Sequence, residues 1–272
     1  MTEDDNILVF SDTLKRIKEE YPTDGIKVRY YNGIEDLGMP DCVTPITMVH
    51  GGTVNTGYSY SKDMRVAILN FADAMKFGGW VENGAQTQEE NICRCTNIYP
   101  ILGSRNSEIE YYAPNTEDVK NRLRTNRDKL VSEIYTDRII YARDVTVFKD
   151  DTTYDSVEPR KFDVITCPAP KARLSPSEAV GIYVKRISQI LLSAIKNDAE
   201  CIVLGAWGCG AFAQNPELVA CAFAVALNTY SGYFKKVVFA IKPTPQWGEK
   251  DLYDTFGNIF SRFYDGEVEY EK

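Results

Sequence analysis

The stretch Cys201-Ile-Val-Leu-Gly-Ala-Trp-Gly-Cys-Gly-Ala-Phe212 decides the architecture. It opens on four apolar residues without polar alternation, the pattern of a strand buried on both faces. A glycine-bearing turn follows, and Asn215-Pro216-Glu217 then starts a helix to about Tyr230, with Asn as N-cap and Pro at the first helical position. The rhythm continues outward. Upstream, Phe162 to Cys167 reads as a strand ended by Pro168 and Pro170. Ser175-Pro176 then opens a helix whose Tyr183, Ile187, Ile190, Leu191, Ala194 and Ile195 share one face. Downstream, Lys236 to Ile241 is a strand and Asp251 to Phe263 a closing helix; earlier, Met64 to Asn70 is another compact apolar run. Strand–helix alternation predicts an α/β fold with a mixed, mostly parallel sheet between helices. In such sheets ligands sit beyond the carboxyl ends of the strands.

The remaining segments are less rhythmic. The pattern predicts a short strand at Ile7 to Phe10, a helix from Ser11 or Asp12 to Glu20, and extended segments at Ile26 to Tyr31 and Val43 to His50. Gln88 to Tyr99 reads as a helix stopped by Pro100, Thr116 to Leu130 as a charged, solvated helix, and 138–150 as a strand or hairpin. The whole chain, 1–272, reads as one domain, with 1–60 an N-terminal extension packed on a core at 61–265.

Composition narrows the chemistry. The chain has 272 residues, 44% hydrophobic and 26% charged, which suits a globular protein rather than a disordered one. A net charge of −8 argues against coating nucleic acid, so no direct duplex binding is expected. The longest apolar run, Leu218 to Leu227, falls short of the roughly 20 residues that cross a bilayer. With an acidic start and seven cysteines lacking the spacing of a disulfide scaffold, the expectation is a cytoplasmic protein with reduced thiols and no membrane partner. His50 is the only histidine, which removes His-rich zinc sites, and it reads as a satisfied loop residue before Gly51-Gly52. Cys93-x-Cys95 has no second ligand pair and reads as two small apolar helix residues. There is no phosphate-binding GxxxxGK[ST] loop.

Two loops carry the candidate chemistry. The first, Asn70 to Glu90, joins the end of a buried strand to Asp73, the pair Gly78-Gly79, and then Gln88-Glu89-Glu90 at a helix start. Adjacent carboxylates beside a glycine loop suit glycosidic hydrolysis, one holding a sugar hydroxyl while the other supplies the proton to the leaving oxygen. The competing reading is structural. Thr87-x-x-Glu90 has the spacing of a capping box, first-turn acids complement the helix dipole, and that dipole opposes protonation. Asp73 is equally readable as a turn residue bonding its own backbone. The second loop, Gly205 to Phe212, offers amides in a glycine turn and at a helix start to an anion, and Phe212 an aromatic face. Its order is GxxGxG rather than GxGxxG, and no acid follows the next strand, so a dinucleotide dehydrogenase fits poorly. Trp80, Trp207 and Trp247 read as packing residues.

Taken together, LNFADAMKFGG-x8-QEE-x-x-CRC-x-x-IYP (from Leu69), ITCPAP (from Ile165) and LGAWGCGAF (from Leu204) resemble the microbial-type poly(ADP-ribose) glycohydrolases, which have a macrodomain fold. The resemblance runs from about Val66 to Ile241 and implies hydrolysis of ribose–ribose bonds in poly(ADP-ribose), with no metal or cofactor. The implied partner is ADP-ribose or poly(ADP-ribose) on modified proteins. On this resemblance Glu90 is the catalytic acid, Glu89 holds hydroxyls of the ribose being cleaved, and Gln88 positions the loop. Gly78 and Gly79 lie against the terminal ribose and diphosphate. Gly208, Cys209 and Gly210 form the diphosphate loop, Phe212 packs on the adenosine end, and Asn70 and Asp73 lie near the distal ribose. The family commonly has three consecutive glycines; here the third position is Trp80 and Phe77 precedes the pair. A tryptophan lacks the close backbone approach of glycine, so it is expected to stack on substrate, narrow the pocket or lower turnover. The alternatives are a non-catalytic ADP-ribose reader and a glycohydrolase for mono-ADP-ribosyl linkages.

Overall fold

A computed structural model describes residues 1–126, 132–242 and 251–271. Eight strands form one sheet: β1 (Lys27–Tyr31), β2 (Ile46–Val49), β3 (Val66–Phe71), β4 (Ile139–Lys149), β5 (Ser156–Cys167), β6 (Cys201–Leu204), β7 (Lys236–Ala240) and β8 (Val268–Glu271). Their order is β1-β4-β5-β3-β6-β7-β2-β8. From β5 to β8 every pairing is parallel, and β1 and β4 add antiparallel strands at one edge.

The strands alternate as a doubly covered sheet requires. Ala67, Leu69, Ile202, Leu204, Val237 and Phe239 face one apolar core; Val66, Ile68, Cys201, Val203, Val238 and Ala240 face the other. The first core is closed by α6 (Pro176–Ile195), α7 (Pro216–Tyr230) and α8 (Leu252–Phe263). The second is closed by α1 (Glu3–Glu19), α2 (Thr53–Tyr60), α3 (Gln88–Cys95) and α4 (Tyr99–Leu102). A charged helix, α5 (Ala113–Asn126), follows a π-helical turn at Glu108–Tyr112.

Several local expectations change. The N-terminal strand and helix are one helix. Thr2 and Asp5 close a capping box ahead of the apolar run, and Asn6, Phe10, Thr13 and Ile17 make a buried helical stripe, leaving Ile7 and Leu8 exposed. Pro100 does not stop the QEE helix. That helix ends at Cys95, where Thr96 turns extended and bridges Val147 of β4, and Pro100 sits in the first turn of α4, where its missing N–H costs nothing. The 138–150 segment is the first arm of a long hairpin with β5. The polar strand β8 carried no apolar signal. The last residues of the expected charged helix, 127–130, and Trp247 lie outside the described residues.

Candidate active site

A cavity of about 710 Å³ opens across the carboxyl ends of the parallel strands. Its wall takes Phe71 at the end of β3 and Asp73 after it, Ala169 and Lys171 after β5, Ala206 to Phe212 in part after β6, Ile241 and Lys242 after β7, and Gly51 to Val54 after β2. The size is that of a site for a nucleotide-sized ligand, roughly 300–1,000 Å³.

Glu89 and Glu90 enter from the first turn of α3 and are nearly inaccessible, 2% and 3% exposed. Glu90 Oε1 accepts the backbone N–H of Trp80 at 2.9 Å, and its Oε2 accepts the Thr87 hydroxyl. The capping box allowed by the spacing is therefore not built. Thr87 has β-region dihedrals but makes no side-chain bond to the helix amides, because its hydroxyl is turned to the carboxylate. Glu89 Oε2 accepts the Asp73 N–H at 2.8 Å and its Oε1 accepts from Asn70 Nδ2 at 3.3 Å. Burial pushes the Glu89 carboxyl well above the ordinary carboxylate range, and the nearby Glu90 and Asp73 charges push the same way. The two hydrogen bonds only partly offset this.

Gln88 ties this helix to the sheet. Its Nε2 donates to Leu69 O at 2.6 Å and its Oε1 accepts the Phe71 N–H at 2.8 Å, so the side-chain amide pairs with β3 as another strand residue would. Asn70 does not reach the cavity; it is fully buried behind Glu89 and also donates to Thr166 Oγ1. Asp73 both lines the cavity and makes the turn, its Oδ1 accepting from the amides of Met75 and Lys76. Gly78 and Gly79 have φ of +67° and +58°. Gly79 is on the wall, and a Cβ there would overlap the Glu90 carboxylate; Gly78 packs behind it on the Tyr99 ring. Trp80 at φ −110° needs no glycine, and its indole stands 57% exposed at the cavity mouth rather than packing. Trp207 is buried as expected, its Nε1 donating to Cys167 O.

In the second loop Gly208 (φ +83°) and Gly210 line the cavity, with half-buried Phe212 beside them. Among the described residues, the amides of Gly208, Gly210, Ala211 and Phe212 have no protein acceptor, whereas those of Trp207 and Cys209 bond Gly205 O and Ala206 O. Cys209 turns its thiol into the core, where burial pushes it up to about 12. The start of α7 is not available to an anion, because Asn215 Oδ1 already accepts from the amides of Glu217 and Leu218. The donors are those of the turn alone.

Other wall residues carried no readable motif. Asp151, 3% exposed, accepts the Val54 and Asn55 amides at the start of α2 and pairs with Lys242 at 3.5 Å. Gly52 was the available signal: any side chain there would overlap the Asp151 carboxylate. Lys171, on the opposite wall, pairs with Glu133 at 3.2 Å. His50 is exposed and stacks on Tyr253, away from the cavity.

A mostly parallel sheet between helices, with a nucleotide-sized cavity over its carboxyl ends, is the architecture of a macrodomain-like α/β protein. The catalytic domain of the microbial-type poly(ADP-ribose) glycohydrolases matches residues 12–150, just over half of the chain. The chain belongs to that family. The solved glycohydrolase of Thermomonospora curvata superposes with a TM-score of 0.75 at 24% identity, covering 94% of this chain and 100% of that one. That of Deinococcus radiodurans, solved in complex with ADP-ribose, gives 0.67 at 29% identity over 80% of this chain and 84% of that one. No curated protein matches this chain.

Proposed function

We propose that Glu90 is the general acid and base of a poly(ADP-ribose) glycohydrolase, the glycosidase-type hydrolase that membership of this family makes the protein. The observation that carries the assignment is Glu90 itself. It is nearly buried on the cavity wall, aimed past Gly79 by Trp80 N–H and Thr87 Oγ1, and not committed to the backbone of its own helix start. Glu90 gives its proton to the 2′-oxygen as the C1″–O2′ bond breaks. A water adds to the resulting oxocarbenium carbon and returns a proton to Glu90, so the carboxyl ends as it began. Glu89 holds ribose hydroxyls, with Asn70 and the Asp73 amide fixing it from behind and Gln88 holding the helix start. Gly79 lies against the ribose, and the free amides of Gly208, Gly210 and Phe212 receive the diphosphate, with the Phe212 ring at the adenosine end. ADP-ribose and its polymer on modified proteins are the partners this site fits.

A second reading, favoured by the burial that pushes the Glu89 carboxyl above the ordinary carboxylate range, exchanges the two carboxyls' roles. The test is the release of ADP-ribose from purified poly(ADP-ribose). Glu90→Gln is expected to lose about 10²–10⁴ in turnover, the usual share of a general acid, while still binding ADP-ribose. Turnover retained in Glu90→Gln but lost in Glu89→Gln would transfer the acid to Glu89.

A further inference from the structure

Trp80 has two ends with different fates. Its N–H is fixed on Glu90 Oε1 at 2.9 Å, while its indole is 57% exposed at the cavity mouth. The Lys76 ammonium lies over the indole, 3.6 Å from a ring centroid, and the residue still keeps more than half of its surface exposed. Among the described residues Lys76 has no ion-pair partner. An aromatic face with an uncommitted cation thus stands beside the carboxylate that hands a proton to the leaving oxygen.

The chemistry of the leaving group matches it. When a ribose–ribose bond in the polymer breaks, the departing oxygen is the 2′-hydroxyl of an adenosine. That ribose carries an adenine on the adjacent carbon and a diphosphate through its 5′-carbon. With Glu90 at the departing oxygen, Trp80 is an exposed aromatic on the same cavity wall, tied to Glu90 through its backbone amide on Oε1. We propose that Trp80 and Lys76 form a leaving-side subsite, the exposed indole stacking on the adenine of the departing unit and the ammonium meeting its diphosphate. The subsite rests on the reading of Glu90 as the acid. It makes a linked ADP-ribose unit a better leaving group than a simple alcohol, and it gives the residue at the third glycine position a specificity role.

The test compares kcat/KM for the ADP-ribose dimer with that for an ADP-ribosyl trifluoroethyl glycoside, whose leaving group has neither ring nor charge. In Trp80→Ala the ratio of dimer to glycoside is expected to fall about tenfold, the scale of one base–aromatic stack. Trp80→Phe should restore most of it. Lys76→Met should lower the ratio about threefold and flatten its dependence on salt, and it carries the same test if Trp80→Ala disturbs the loop. A ratio unchanged in both Trp80→Ala and Lys76→Met, with the natural protein cleaving both substrates, overturns the subsite and leaves the reaction standing. Natural protein that cleaves neither substrate overturns the reaction and the subsite together.

Discussion

Gly79 and Glu89 show how far single residues govern this site. At Gly79 the backbone is left-handed, and a Cβ would fall on the Glu90 carboxylate. Gly79→Ala is therefore expected to cost about 1–2 kcal/mol from backbone strain and to displace Glu90. Calorimetry should show a lower Tm, and the polymer assay a loss of turnover larger than that Tm shift explains. Glu89 is informative through pH. Its native carboxyl holds a proton above the range where the unfolded chain releases it, near 4.3. The native state thus binds more protons in that window, and the contribution of Glu89 to stability falls as pH rises from the unfolded value through the native one. Glu89→Gln has no such proton to lose. The Tm of the variant relative to the natural protein should rise as the pH climbs above the unfolded carboxylate range, whatever happens to activity; a flat difference would mean that Glu89 ionises as an exposed carboxyl does.

At the scale of elements, α1 holds the loop that runs from Gly78 to Thr87. Asn6 Nδ2 donates to Gly84 O at 3.0 Å, and Gln86 Nε2 reaches Met1 O at the same distance. Arg94 of α3, fully buried, bridges the two, its Nε on Asn6 O and its Nη2 on Ala85 O. Thr13 Oγ1 donates to Arg94 O at 2.6 Å, and the buried Lys149 of β4 pairs with Asp12 at 2.8 Å. The loop between Gly78 and Thr87 is thus clamped from the helix that precedes the sheet, not only by its own strand. Asn6→Ala, which strands the Gly84 carbonyl and a buried arginine's neighbour, is expected to cost about 1–2 kcal/mol. In a double-mutant cycle with Arg94→Met the two losses should be less than additive, because both variants release the same clamp. Chemical denaturation measures the coupling, and strict additivity would separate α1 from the loop.

At the scale of the whole molecule, β2, β3, β5, β6 and β7 all point their carboxyl ends at one cavity, so five connections supply its walls. The chain's 31 basic side chains are outnumbered by 39 acidic ones, and the lysines on the wall are already paired, Lys171 with Glu133 and Lys242 with Asp151. On the function proposed above, the diphosphate meets neutral amide donors. KM for poly(ADP-ribose) is therefore expected to rise less than about tenfold between roughly 50 and 200 mM salt, where a protein that neutralises many phosphates loses about 10³–10⁵. A steep salt dependence would point to a basic track on the surface that displaces the amide turn as the main contact.

The sequence by itself determined the doubly covered α/β sheet, because unbroken apolar strands and capped helices are local patterns with local causes. It also singled out the two loops that meet at the cavity, since QEE after a glycine pair and a glycine turn between strand and helix sit in order along the chain. What only the tertiary structure decided is what each polar atom is doing. Thr87 and Glu90 have the spacing of a helix cap, and only the approach of Trp80 N–H shows the carboxylate turned toward the cavity. Asn70 reads as a loop-end polar residue but is buried behind Glu89, and the start of α7 reads as an anion site until Asn215 is seen filling it. Residues 3–19 gave no sign of belonging to the site, because their contacts with Gly84 and Arg94 span 78 to 88 positions of sequence. Pairings at that separation are set by packing, and no local pattern records them.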